Sequence, residues 1–315
     1  MNLQTKISLK KETKNLIDYN AKIILLGSCF SNNIGTKLAY YKFQVTQNPF
    51  GILFHPKAIE NLLDRAINKN QYTENDLVFS NGSWHCLDAH SSISSTNKKE
   101  VLKNLNTALE HTKLKVENAS HIIITLGTAW VYRYIENDKI VANCHKIPQH
   151  KFSKELLSIN EISESLLAIL NSIRSINSKV KVLFTVSPVR HLKDGFIENT
   201  RSKAHLISAT HYIIDSKKSF YFPSYEIMMD ELRDYRFYNE DMIHPSETAI
   251  NYIWLKFIAT WFSERSIKTM DEVLKVQKAM AHKPFFEDSE EHQLFLKKIA
   301  QKKDALKLKH PFISF

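Results

Sequence analysis

Glycine is scarce, with six residues in a chain of 315. Nucleotide-binding loops need glycines where the backbone wraps a phosphate. Neither a GxGxxG nor a GxxxxGK fingerprint occurs, which argues against dehydrogenase and NTPase chemistry. Cysteine is sparse too. Cys29, Cys86 and Cys144 form an odd set without CxxC spacing, so neither a disulfide framework nor a zinc knuckle is expected, and reduced thiols are the simplest reading. No stretch approaches the roughly 18 apolar residues of a membrane helix. The opening Met1-Asn2-Leu3-Gln4-Thr5-Lys6 lacks the apolar centre of a signal peptide, so a soluble, cytoplasmic protein is expected. The net charge of +10 comes from dispersed lysines and a Lys-rich tail rather than a basic stripe. Aromatic residues do not recur beside Lys or Arg in a base-stacking pattern, and nucleic acid is not an expected partner.

A hydrophobic content of 43% supports one substantial core. Short apolar runs at Lys22-Leu26, Phe43-Thr46, His121-Leu126, Lys181-Ser187 and Ser219-Phe222 read as buried strands, and their continuous hydrophobicity points to a parallel sheet. Segments of helical character lie between them at Ser31-Tyr41, Pro56-Asn68, Lys98-Lys115, Ile162-Ile176 and Ser202-Ser216. This alternation predicts an α/β fold, a three-layer α/β/α sandwich around a mainly parallel five-stranded sheet. Ser246 and Glu247 open a further helix that runs to Phe262. Beyond Ser263 the chain turns Lys- and Glu-rich with helical spacing at Met270-Met280 and Ser289-Leu308, broken at His282-Lys283-Pro284. The expected division is a main domain over 1–263 and a helical, Lys-rich extension over 264–315.

The first strand runs through Gly27 into Ser28 and then into a helix, which places Ser28 at the carboxyl end of a strand, where ligands bind in open α/β sheets. A serine there is also a preferred helix N-cap, and position alone leaves both readings open. At the far end of the chain, Asp241 and His244 stand three positions apart just before the last helix of the main domain. A carboxylate held beside an imidazole fixes its tautomer and stabilises the imidazolium that forms when it takes a serine proton. The coincidence of the two features at opposite ends of an α/β chain favours a Ser28, His244, Asp241 triad.

Other groups compete for attention. Cys29 adjoins Ser28 at a helix start, where a thiol could be activated, although a neighbouring residue points elsewhere and free cysteine is more often a buried hydrophobe. His85, Cys86, Asp88 and His90 cluster, as do Cys144, His145 and His150, yet their spacing is poor for the four convergent ligands of a closed metal site. Structural or substrate-lining roles suit them better, and neither a metal nor an organic cofactor is expected. Arg190 and His191 follow another strand end and could line the same cleft, Arg190 binding an anionic group or else pairing with Asp194.

Several segments together resemble a known family. Gly27-Ser28-Cys29-Phe30 followed by Ile34-Gly35 is similar to the opening motif of GSCFA-domain proteins, a branch of the SGNH or GDSL-like hydrolases. Asn48-Pro49-Phe50-Gly51, Thr125-Leu126-Gly127-Thr128-Ala129-Trp130, Asn143-Cys144-His145-Lys146, Thr185-Val186-Ser187-Pro188-Val189-Arg190-His191, Asp234-Tyr235-Arg236-Phe237-Tyr238 and Asp241-Met242-Ile243-His244-Pro245-Ser246 extend the resemblance over most of the chain. Ser31 replaces the alanine of the eponymous motif. The resemblance implies a flavodoxin-like SGNH fold and a serine-dependent esterase or acyltransferase, with Ser28 as nucleophile and Asp241 and His244 as partners. The substrate it suggests is an acylated carbohydrate, a cell-envelope molecule or another small ester.

SGNH enzymes build the oxyanion hole from the nucleophile's N–H, a glycine N–H and an asparagine side chain. This chain has Gly127-Thr128-Ala129-Trp130 where a typical member has Gly-x-Asn-Asp, so the asparagine is missing. Ser28, Gly51 and Asn143 are the expected donors, and Asn48, His90, Thr128, His145, Arg190 and His191 the expected substrate-lining residues. The missing asparagine also motivates another reading, a module that binds carbohydrate or another small ligand on the same fold without hydrolysis. A third is partner docking through the basic tail.

Overall fold

The structure, a computed structural model, describes residues 5–286 and 288–315. Residues 1–4 of the opening segment considered above lie outside the described residues. In chain order, β1 (Lys22–Gly27) leads into α1 (Cys29–Tyr40), β2 (Gln44–Gln47) and α2 (Pro56–Ile67). A hairpin of β3 (Leu77–Ser80) and β4 (Ser83–Cys86) precedes α3 (Lys98–Asn118) and β5 (His121–Leu126). An antiparallel trio follows, β6 (Trp130–Tyr134), β7 (Lys139–Val141) and β8 (Phe152–Leu156), before α4 (Ile159–Ile176), β9 (Lys181–Val186), α5 (Phe196–Ile213) and β10 (Ser219–Tyr221). A short turn of helix, α6 (Ser224–Glu226), is followed by α7 (Glu247–Trp261), α8 (Glu264–Ala281) and α9 (Glu290–Lys309).

The central sheet has the order β10-β9-β5-β1-β2, and every neighbouring pair is parallel. Successive residues of a strand face opposite sides, so continuous apolar strands need cover on both. Ile24 and Leu26 of β1 join the core under α2 to α5, while Ile23 and Leu25 join the core under α1 and α7. Each such buried side chain contributes roughly 1.5–3 kcal/mol. The result is a three-layer α/β/α sandwich on a five-stranded parallel sheet, as the apolar runs predict.

This strand order has one switch point, between β1 and β5, because β2 lies to one side of β1 and all later sheet strands lie to the other. Connections leave the strand ends in opposite directions there and open a crevice at their carboxyl ends. The register pairs Gly27 with Thr125 across β1 and β5, and Leu126 with Val186 across β5 and β9. Ser28, Gly127 and Ser187 therefore emerge side by side.

The sequence reading missed the β3–β4 hairpin and the β6–β7–β8 sheet. Their strands are short and mixed in polarity, and the second is held by a small separate core of Leu87, Tyr134, Val141 and Phe152. Helix α5 starts at Phe196 rather than Ser202, since its first turn carries exposed Phe196 and Ile197 and shows no apolar periodicity. The helices of the Lys-rich extension also contribute to the core. Met270, Val273 and Val276 of α8, with Ile299 and Leu306 of α9, are buried in the same core as Trp254 and Phe257 of α7.

Candidate active site

Gly27 makes the turn out of β1 possible. Its φ is +127°, and a Cβ would lie 2.1 Å from Thr125 O, so a side chain is excluded on both counts. Ser28 follows as the N-cap of α1, its Oγ accepting the Phe30 N–H at 3.3 Å, and the residue is fully buried at 0% exposure. Ser31 Oγ sits between Leu26 O, 3.1 Å away, and Thr125 Oγ1, 2.8 Å away, which ties α1 to the two strands. The Cys29 thiol next door is pushed up by burial, the opposite of activation.

Asp241 and His244 form a tight local unit. Asp241 Oδ1 accepts the N–H groups of Ile243 and His244, each at 2.9 Å, and Oδ2 lies 2.7 Å from His244 Nδ1. A carboxylate only accepts, so His244 donates from Nδ1 and leaves Nε2 as the basic nitrogen. The bonds from the His244 backbone and ring and from the Ile243 N–H bring the Asp241 carboxyl down to about 2. The loop is anchored by Asn239 N to His244 O at 2.8 Å, Ser246 N to Phe237 O at 2.8 Å and Arg190 N to Ile243 O at 3.1 Å. The last bond fastens it to the loop after β9, at the same end of the sheet as Ser28. His244 and Asp241 are about half exposed, and no hydrogen bond joins His244 to Ser28 among the described residues.

The donors expected for an oxyanion are committed elsewhere. Ser28 N–H donates to Thr125 O at 3.0 Å and Gly51 N–H to Asn48 O at 2.7 Å. Asn143 Oδ1 accepts the His145 N–H at 2.9 Å, and its Nδ2 lies 3.5 Å from Ser91 Oγ. Only the Gly51 bond closes a tight turn; the Ser28 N–H is taken across the sheet, and the Asn143 amide spans to the loop before α3.

The residues expected to line the substrate divide. Thr128, Asn143, His145 and His191 share one cleft of about 460 Å³ with the aromatic side chains of Trp130, Tyr132 and Phe152. Asn48 is placed otherwise: Oδ1 accepts the Gly27 N–H at 2.9 Å and Nδ2 donates to Asn32 at 2.8 Å, bracing the turn before Ser28. His90 packs on Gly51 and accepts the Ser92 N–H, away from that cleft. Arg190 lies over the Tyr238 ring at 4.1 Å and borders a separate hollow of about 180 Å³. Asp194 pairs instead with Lys154 at 2.5 Å. His145 donates from Nε2 to Cys86 O, 2.8 Å away, and stacks on His85, so these two histidines pack together. No group of three or more His, Cys, Asp or Glu side chains is placed to hold a metal among the described residues.

Residues 22–257 match the model of the GSCFA family, and residues 273–315 match that of the GSCFA domain protein, C-terminal domain. The chain belongs to the GSCFA family. No curated protein matches it. Among solved structures it is similar to a Clostridium thermocellum family 3 carbohydrate esterase at 10% sequence identity and a TM-score of 0.35, over 83% of this chain and 99% of that chain.

In this GSCFA protein one residue at the strand ends escaped the sequence reading. Lys203 of α5 is 1% exposed, and its Nζ donates to Gly127 O at 2.7 Å and Ser187 O at 2.8 Å, clamping the ends of β5 and β9 together. Burial brings its ammonium down to about 7. A signal existed, because Lys203 precedes Leu206, Thr210 and Ile213 on the buried helix face, and a lone lysine in such a stripe needs buried acceptors.

Proposed function

We propose that this GSCFA protein is a serine-dependent ester hydrolase or acyltransferase of the SGNH type, with Ser28, His244 and Asp241 as its triad. The preformed Asp241–His244 pair carries the reading, since it is fastened through Ile243 O and Arg190 N to the loop after β9, at the same end of the sheet where Ser28 follows β1. In the reaction Ser28 Oγ leaves its capping bond to Phe30 and attacks the acyl carbon while His244 Nε2 takes its proton. Asp241 holds the ring and stabilises the imidazolium. The alcohol leaves with that proton, and water or a second hydroxyl then accepts the acyl group. The aromatic faces of Trp130, Tyr132 and Phe152 in the adjoining cleft suit an acylated carbohydrate or other small ester.

Turnover of short acyl esters by wild type and Ser28→Ala tests the assignment. The variant should stay folded and lose essentially all activity, and unchanged turnover would end the assignment. The full burial of Ser28 and the absence of a Ser28–His244 hydrogen bond favour a second reading, a carbohydrate-binding module without hydrolysis. A fluorophosphonate probe separates the two. Covalent attachment at Ser28 supports the hydrolase, whereas a folded protein that resists labelling and still binds sugars by calorimetry supports the module.

A further inference from the structure

The hydrolase reading leaves a negative charge to be stabilised, and the donors normally used are engaged or missing. One polar group at the same place is unengaged. His191 Nε2 is buried, has no hydrogen-bond partner among the described residues and lies 3.2 Å from where a Cβ on Gly127 would be. Gly127 is the first residue beyond β5, and β5 is the strand that flanks Ser28 across the switch point. The imidazole therefore covers a glycine whose lack of a side chain makes the close approach possible.

Its orientation is fixed from several sides. Asn199 Oδ1 accepts the His191 backbone N–H at 2.9 Å, and the Phe54 ring meets the imidazole edge-on with centroids 5.3 Å apart. The loop is tied to the proposed base through Arg190 N and Ile243 O, the immediate neighbours of His191 and His244. Burial, with the charges of Lys203 and His244 adding to it, lowers the His191 imidazole to about 3. The ring thus stays neutral at ordinary pH. Among the described residues no carboxylate orients it as a base, and in its Nε2–H tautomer the neutral ring is a donor that needs no titration to act.

We propose that His191 is a catalytic residue that donates from Nε2–H to the oxyanion, in the role the missing asparagine would fill. This rests on the serine-hydrolase reading above. As Ser28 Oγ bonds to the acyl carbon and its proton passes to His244 Nε2, the carbonyl π pair moves onto oxygen. That oxygen takes the His191 hydrogen bond. Collapse re-forms the carbonyl and breaks the ester C–O bond, and the leaving oxygen receives the proton from His244. A donor aimed at charge that develops only in the transition state changes kcat more than KM.

The experiment compares wild type with His191→Ala and His191→Gln on a short acyl ester across pH. Alanine should lower kcat roughly 100- to 1000-fold with KM within about threefold. Glutamine, which keeps an N–H donor, should recover at least about tenfold of that loss, and the acid limb of the pH profile should stay where wild type has it. Retention of more than about a third of kcat in His191→Ala overturns the proposal, as does a raised KM at unchanged kcat, which marks a lining residue. Disappearance of the acid limb also overturns it, because His191 would then be the base. If His191→Ala fails to fold, His191→Gln against His191→Met, similar in size but without a donor, makes the same comparison. Wild-type turnover that survives Ser28→Ala overturns this proposal and the parent reading together, whereas Ser28-dependent turnover indifferent to His191 overturns this one alone.

Discussion

Acidification should loosen the wall of the cleft through His55. This residue is the N-cap of α2, 4% exposed, and its Nδ1 accepts the Ala58 N–H at 3.1 Å. Its Nε2 must then carry the hydrogen, which it donates to Val141 O at 3.0 Å. The ring so joins the start of α2 to the end of β7, and both residues line the cleft. A proton added at Nδ1 would set two donors against each other in a site closed to water, and burial lowers the imidazole from 6.5 to about 4. Above pH 6.5 the ring is mainly neutral in the folded and unfolded chain alike. Between 6.5 and about 4 the unfolded chain binds the proton and the folded one does not, so stability falls as pH falls through that window and levels off below it. The whole window amounts to roughly 3 kcal/mol, of which about 2 kcal/mol accrues between pH 7 and pH 5. The perturbation is His55→Asn, which keeps a capping oxygen but cannot take up the proton. It should cost about 1–3 kcal/mol at pH 7 through the lost bond to Val141 O and the smaller side chain. Urea unfolding of both proteins at pH 7, 6 and 5 should show this difference shrinking by about 2 kcal/mol toward pH 5. Other titrating groups are common to both proteins and cancel, so parallel stability curves would refute the reasoning.

Further outcomes are expected elsewhere. Asp241→Asn should lower kcat less than His244→Ala does, because orienting the ring contributes less than moving the proton; a loss as large as that of His244→Ala in steady-state kinetics would count against these roles. Lys203→Met strips the donor from Gly127 O and Ser187 O and should cost about 2–4 kcal/mol at neutral pH by denaturant titration. Because the folded lysine gives up its proton near 7 and the unfolded one near 10.5, wild type should also gain stability relative to this variant as pH rises between those values. Truncation after Ser263 removes Val273, Val276, Ile299 and Leu306 from the core around Trp254 and Phe257. A lower melting temperature is expected, and a shortened chain as stable as the full one would restore the picture of a detachable docking tail.

The sequence by itself determined what depends on near neighbours. Continuous apolar runs such as His121–Leu126 can be buried on both faces only in a covered parallel sheet, so the layer order follows from residue character. The Asp241–His244 pair was legible for the same kind of reason, since the carboxylate meets N–H groups two and three positions ahead and the imidazole on the same turn. The Ser28 turn was legible through Gly27 and the helix start after it. Tertiary structure alone decided which donors around that turn are free. Thr125 O takes the Ser28 N–H across the sheet, Asn48 closes on Gly51 and reaches Gly27, and Tyr238 rather than Asp194 takes Arg190. His191 over Gly127 and Lys203 on Gly127 O join residues 64 and 76 positions apart. Such partners leave no spacing to read along the chain, because a buried polar atom is satisfied by whatever the fold brings within about 3 Å, and only the packed structure decides what that is.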